Sequence, residues 1–189
     1  MSMSISLDGY FEGPNREIDW HLVDAELHSH FNEELKAMGA FLDGRITYQL
    51  MAEYWPTADQ DPAATVEEAE FARIWRDMPK IVFSRTLQRA DWNTEVRHNV
   101  DPAEIRALQA RPGGDMALGG AELAATFRRL DLIDEYCLYV HPVLLGSGHR
   151  LFGSAASTVP LRLVESRQFG NGVQLLRYQP TYQPAGTSG

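Results

Sequence analysis

Met116-Ala117-Leu118-Gly119-Gly120-Ala121-Glu122-Leu123 reads as a short apolar strand that runs straight into two glycines and then into a helix. Glycines let a backbone approach an anion closely, and a helix N-terminus offers free N–H groups and a partial positive charge. The same stretch is compatible with a tight turn that holds no ligand. Around it, strand and helix signals alternate. Ala40-Phe41-Leu42 and Lys80 to Phe83 are strand candidates, and the stretch around Val96 is a weaker one. Leu27, Phe31, Leu35 and Met38 fall at helical spacing and predict a helix from about Asp24 to Met38. Ile46 to Tyr54, the stripe Phe71-Ile74-Trp75-Met78 before Pro79, and Leu123-Phe127-Leu130 predict three more helices. Asp101-Pro102-Ala103-Glu104 is a helix start, with an N-cap, Pro at the first position and Glu at the third. Thr57 to Thr65 reads as loop.

The ends of the chain read as strands. Met1 to Leu7 is β-like and closes at Asp8-Gly9, after which a loop runs through Gly13-Pro14-Asn15. Glu135 to Val140 is a strand, and Leu161 to Tyr178 a hairpin around Gly170-Asn171-Gly172. Residues 183–189 read as a disordered tail behind a single domain, 1–182. Strand–helix alternation that ends in antiparallel strands predicts a three-layer α/β domain with a mixed, mostly parallel sheet.

The chain has 17 Lys and Arg against 26 Asp and Glu, a net charge of −9. That balance argues against a nucleic-acid binder and against docking on an anionic membrane. No apolar run approaches the ~20 residues of a membrane helix. The start, MSMSISLDGY, is not a secretory signal, and the lone Cys137 excludes an internal disulfide framework. A cytoplasmic location is expected. No HExxH, Ser/His/Asp or Cys/His pattern is present, and the six histidines form no metal site by spacing.

In an open α/β sheet, ligands bind beyond the carboxyl ends of the strands. The Gly119-Gly120 turn is one such junction, although it is not the GxGxxG dinucleotide fingerprint. Asp43-Gly44-Arg45-Ile46-Thr47-Tyr48 is a second, with a guanidinium suited to phosphate and a Thr that could cap the helix. Phe83-Ser84-Arg85 is a third. Together they point to a phosphorylated cofactor. Asp24 falls on the apolar stripe of its helix, so its carboxylate is expected to face inward as a proton donor; the alternative is a plain N-cap. Asp19 and Asp8 are ambiguous loop carboxylates. Trp20, Trp55 and Tyr48 could line a substrate pocket or belong to the core.

In order along the chain, Ser6-Leu7-Asp8-Gly9-Tyr10, Glu17-Ile18-Asp19-Trp20, Gly44-Arg45-Ile46-Thr47-Tyr48, Phe83-Ser84-Arg85, Leu118 to Leu123 and Pro142 to Gly148 resemble the dihydrofolate reductase superfamily. The resemblance is closest to the group related to the C-terminal reductase domain of the riboflavin biosynthesis deaminase–reductase. It implies a sheet of about eight strands with flanking helices and an NADPH site. By that match Gly44, Arg45, Thr47, Ser84 and Arg85 contact the adenosine phosphates. Gly119, Gly120, Ala121, Glu122 and Leu123 form the pyrophosphate turn and its helix. The nicotinamide lies near Ser4 to Leu7, including Ser6 and Leu7. Asp24 is the expected catalytic residue, with Asp19, Trp20 and Tyr48 toward substrate. The implied activity is hydride transfer to a small heterocycle or a ribosyl carbonyl. The alternative is a nucleotide- or flavin-binding module without turnover. Self-association as a homodimer is expected.

Overall fold

The structure is a computed structural model that describes residues 1–153 and 158–181; the expected tail lies outside the described residues. Contacts separate the chain into two compact units. One combines Met3–His21 with the chain from Ile133 onward, and the other is Leu22–Leu132.

The Leu22–Leu132 unit is built on a parallel sheet of β3 (Met38–Gly44), β4 (Lys80–Phe83), β5 (Thr94–Arg97) and β6 (Asp115–Leu118), in the order β5-β4-β3-β6. Its helices start where capping chemistry puts them. Asp24 caps α1 (Ala25–Lys36) by accepting the Leu27 N–H at 3.0 Å. Thr65 and Glu68 form a reciprocal capping box at α3 (Val66–Asp77). Asp101 caps α4 (Pro102–Gln109) with Pro at the first position. α3 stops because Met78 precedes Pro79 and is forced to an extended conformation, φ −64° and ψ 132°. The remaining helices are α2 (Arg45–Tyr54) and α5 (Ala121–Arg129).

Two apolar groups hold this unit together. Phe41, Tyr48, Phe71, Trp75, Met78 and Val82 form one cluster. Phe127 of α5 packs edge-on against Phe83 of β4, with ring centroids 5.8 Å apart. The stretch expected as loop after α2 is instead a 3₁₀ helix, Trp55–Gln60. The cause is tertiary. Arg76 of α3 forms a bidentate pair with Asp59 at 2.8 and 2.7 Å and also donates to the Pro56 carbonyl, which pins the segment.

The other unit carries β1 (Ser2–Ser6), β7 (Tyr136–His141), β9 (Leu161–Gln168) and β10 (Gln174–Pro180), in the order β1-β7-β10-β9. β7, β10 and β9 are antiparallel neighbours. The hydrogen bonds Cys137 N–H to Met1 O and Leu7 N–H to Val143 O follow β1 and β7 in the same direction. The hairpin turn forms as its Gly-Asn-Gly composition predicts. Asn171 Oδ1 accepts the Val173 N–H, and Gly172 takes φ +89°, where a side chain would be strained. One pairing was not legible in the sequence: β2 (Tyr10–Glu12), expected as loop, pairs with β8 (His149–Arg150). Strands of two and three residues have too few alternations to show a period. Among the described residues, no helix is long and apolar enough to cross a membrane.

Candidate functional site

β3 and β6 are parallel neighbours, with Leu42 opposite Leu118. Each strand turns directly into a helix. β3 passes through Gly44, the N-cap of α2, and β6 passes through Gly119 and Gly120, the N-cap of α5. The Gly119 N–H donates to the Leu42 carbonyl at 3.0 Å, so the two turns are held side by side. Neither N-cap supplies a side-chain oxygen to the first helical N–H groups. Two uncapped helix N-termini therefore leave adjacent strand ends, which is an anion-attracting arrangement.

Gly120 is required there by its backbone, and both glycines leave the turn bare. A Cβ on Gly119 would lie 2.8 Å from Asp43 Oδ1, and one on Gly120 would lie 2.6 Å from Thr47 Oγ1. Gly120 also takes φ +81° and ψ 124°, conformational space that L-residues avoid. The result is a bare backbone cradle, with the Asp43 carboxyl on one side and the Thr47 hydroxyl on the other.

The sequence places Asp43 in the turn that closes the strand Ala40–Leu42, at the head of the Asp43-to-Tyr48 junction, and gives its carboxylate no role of its own. It is 5% exposed. Burial raises its pKa to about 7, against the opposing pull of Lys80. Lys80 begins β4 and is 1% exposed. Its ammonium donates to the Met78 and Trp92 carbonyls at 2.9 Å each, and to the Trp75 carbonyl. It also sits 4.2 Å from the Trp75 ring centroid. Burial lowers the Lys80 pKa to about 8.

The other expected residues divide. Arg45 is exposed at the start of α2 and donates to Gln49 Oε1 at 2.8 Å. Arg85 is exposed after β4. Both can reach an anion. Ser84 is buried, and its hydroxyl accepts the N–H groups of Thr86 and Leu87, so it closes the local turn rather than facing outward. Ala121 and Glu122 are in the first turn of α5, with Glu122 exposed; Leu123 is buried in the core. Tyr48 is a core residue: it stacks on Trp75 at 6.1 Å and donates its hydroxyl to the Asp91 carbonyl. Asp24 is exposed and caps α1, so its carboxylate does not face inward. The first turn of a helix offers a Leu27 N–H nearer than any cleft, and the cap interaction wins.

In the other unit, Ser6 is buried and donates to Asp8 Oδ1 at 2.6 Å. That bond, with the Gly146 and Leu145 N–H groups, holds the Asp8 carboxyl down to about 2. Asp8 thereby ties the end of β1 to the turn after β7. Leu7 is 64% exposed, and Asp19 is exposed in its loop. Trp20 donates its indole N–H to the Glu17 carbonyl and packs edge-on against His21 at 4.2 Å and His141 at 5.5 Å. The two imidazoles stack at 5.1 Å with 20° between their planes. Sequence spacing could not reveal this pair, because the two histidines are far apart along the chain.

His21 Nε2 is buried with no hydrogen-bond partner. Burial, and then His141, lower the His21 pKa to about 4, and burial also lowers that of His141. An unfolded imidazole titrates near 6.5, so the unfolded chain binds protons first. Stability is therefore complete above pH 6.5 and is lost as pH falls toward 4. His21→Phe keeps the aromatic stack and removes the titration. The variant's melting temperature should fall less than that of the wild type between pH 6.5 and 4; equal slopes would show that this stack does not carry the acid sensitivity.

Cys137 is buried, and burial pushes its thiol up to about 11, which makes it a poor nucleophile at neutral pH. Among the described residues, no group of three His, Cys, Asp or Glu side chains could hold a metal ion.

This fold is that of dihydrofolate reductase-like α/β proteins. A solved structure of a putative riboflavin biosynthesis protein from Shewanella sp. PV-4 superposes with a TM-score of 0.72 at 21% identity, covering 95% of this chain and 97% of that one. Dihydrofolate reductase from Enterococcus faecalis, in complex with NADP(H), superposes with a TM-score of 0.61 at 16% identity, covering 95% and 94%. The chain belongs to the RibD C-terminal domain family, whose profile matches residues 1–175. It is 34% identical over 179 residues to the uncharacterized protein YyaP of Bacillus subtilis (strain 168), covering 94% of this chain and 92% of that one.

Proposed function

We propose that the protein is an NADPH-dependent reductase acting on a small pterin- or pyrimidine-like heterocycle or a ribosyl carbonyl. The observation that carries this reading is the glycine cradle at the ends of β3 and β6, flanked by two uncapped helix N-termini. A cradle that only bare backbone can line suits a pyrophosphate. When bound, NADPH supplies a hydride from C4 of its nicotinamide ring.

The chain's own residues bind and orient. The first N–H groups of α5 face the pyrophosphate, and the Thr47 hydroxyl lies beside Gly120 to donate to the same oxygens. Arg45 is exposed at the start of α2, where a fork of N–H donors can take the 2′-phosphate. Its bond to Gln49 is at the surface and is replaced at little cost.

The test is calorimetric titration with NADPH and NADH. NADPH should bind more tightly, and Arg45→Ala should weaken NADPH roughly tenfold or more while changing NADH little, since a hydrogen bond to a charged group contributes about 1.5–3 kcal/mol. An equal loss for both cofactors would remove Arg45 from the 2′-phosphate site. Absence of binding would remove the reductase reading.

A second reading, a nucleotide- or flavin-binding module without turnover, is favoured by one observation: Asp24 is spent on capping α1 and is no inward proton donor. NADPH binding without oxidation across a panel of pterins, pyrimidines and quinoid compounds would select it.

A further inference from the structure

The cradle that suits a pyrophosphate has a carboxyl group in its wall. Asp43 is 5% exposed, and no hydrogen bond from the described residues reaches its side chain. Its Oδ1 lies 2.8 Å from where a Cβ of Gly119 would be, so it is aimed at the glycine turn itself. An ionised carboxylate there would repel a phosphate at close range in a poorly solvated site. A protonated one has an O–H to donate to an anion held at the turn.

We propose that Asp43 acts as a neutral hydrogen-bond donor to the anion held at the Gly119-Gly120 turn, so that cofactor binding takes up one proton from solvent. This rests on the cradle being the pyrophosphate site.

The surroundings favour the neutral form. Burial is the dominant influence on Asp43, and Lys80 of β4 is the charged group that opposes it. The Lys80 ammonium is already committed to three backbone carbonyls. The other charged groups on neighbouring elements do not compensate Asp43. Arg45 of α2, Arg85 after β4 and Glu122 of α5 are exposed, and Asp115 begins β6 at its far end. The free carboxyl therefore titrates near neutrality, at about 7. A bound polyanion raises that value further, since like charge disfavours ionisation.

The sign follows by linkage. Below pH 7 Asp43 is already protonated, so Asp43 takes up no proton on binding. Above it, binding must take one up, and affinity falls by up to about tenfold per pH unit. At pH 8 the 2′-phosphate of NADPH is fully ionised and contributes nothing to this exchange.

The experiment is calorimetric titration of the full chain with NADPH at pH 6 and pH 8, each in two buffers of different ionisation enthalpy. The wild type should take up close to one proton at pH 8 and none at pH 6, where the half-protonated 2′-phosphate instead releases part of one, and should bind severalfold more weakly at pH 8. Asp43→Asn, whose amide still donates, should show no uptake at pH 8 and should not bind more weakly at pH 8 than at pH 6. Asp43→Leu, which cannot donate, should bind roughly tenfold or more weakly than wild type at pH 6. Binding by wild type without proton uptake at pH 8 would overturn the inference alone, as would uptake that persists in Asp43→Asn. No NADPH binding at either pH would overturn the cofactor reading and this inference with it.

Discussion

Lys80→Met should destabilise the protein by about 3–5 kcal/mol, since leaving a buried acceptor without its donor costs about 1–3 kcal/mol and three carbonyls share this ammonium. Methionine fits the space but offers no donor. The Trp75, Met78 and Trp92 carbonyls then lose the ammonium that gathers them, and Asp43 loses the positive charge that opposes the effect of its burial. The Trp75 ring also loses the cation 4.2 Å from its centroid. Urea denaturation reads the change directly. The double variant Lys80→Met with Asp43→Leu should recover part of the loss, because it no longer buries a lone carboxyl. A single variant within about 1 kcal/mol of wild type would show that three carbonyls and one carboxyl do without the ammonium, and the account of this centre would be wrong.

Gly120→Ala should abolish high-affinity cofactor binding, with a loss of at least tenfold, and should also cost about 1–3 kcal/mol of stability from backbone strain alone. The new Cβ would sit 2.6 Å from Thr47 Oγ1, at φ +81°. Even if the Thr47 side chain rotates away, the strained φ remains, and relieving it reshapes the turn and displaces the N–H groups that line the cradle. Gly44→Ala is the matched control. Nothing lies within 4 Å of its Cβ position, and its φ of −78° suits any residue. It should fold with wild-type stability. If Gly120→Ala binds NADPH as wild type does, the cradle is not the pyrophosphate site.

The contrast between these two glycines shows how far the chain can be read without its fold. Both were legible as strand-end glycines before a helix, and both junctions form where expected. Only the structure separates them, because it gives Gly120 a φ of +81° with Thr47 of a different helix beside it and gives Gly44 a φ of −78° with open space around it. Asp24 shows the opposite case. Its position on the apolar stripe was read correctly as periodicity, but a helix's first residue answers to its own backbone N–H groups before any face of the helix. Tyr48, which the sequence left open between a substrate pocket and the core, stacks its ring on Trp75 in the core.

What the sequence determined alone is local. The caps at Asp24, Thr65 and Asp101, the stop at Pro79, the Gly170-Asn171-Gly172 turn and the two glycine junctions all depend on interactions within a few residues. The ordered set of short motifs carried the family. What only the tertiary structure decided is which charges lose their water. The Lys80 charge acts on Asp43 because β3 and β4 are adjacent parallel strands, and His21 meets His141 because a loop folds onto the end of β7. A residue's desolvation depends on neighbours brought from distant parts of the chain, so the groups with the most displaced pKa values here are those that sequence pattern did not single out.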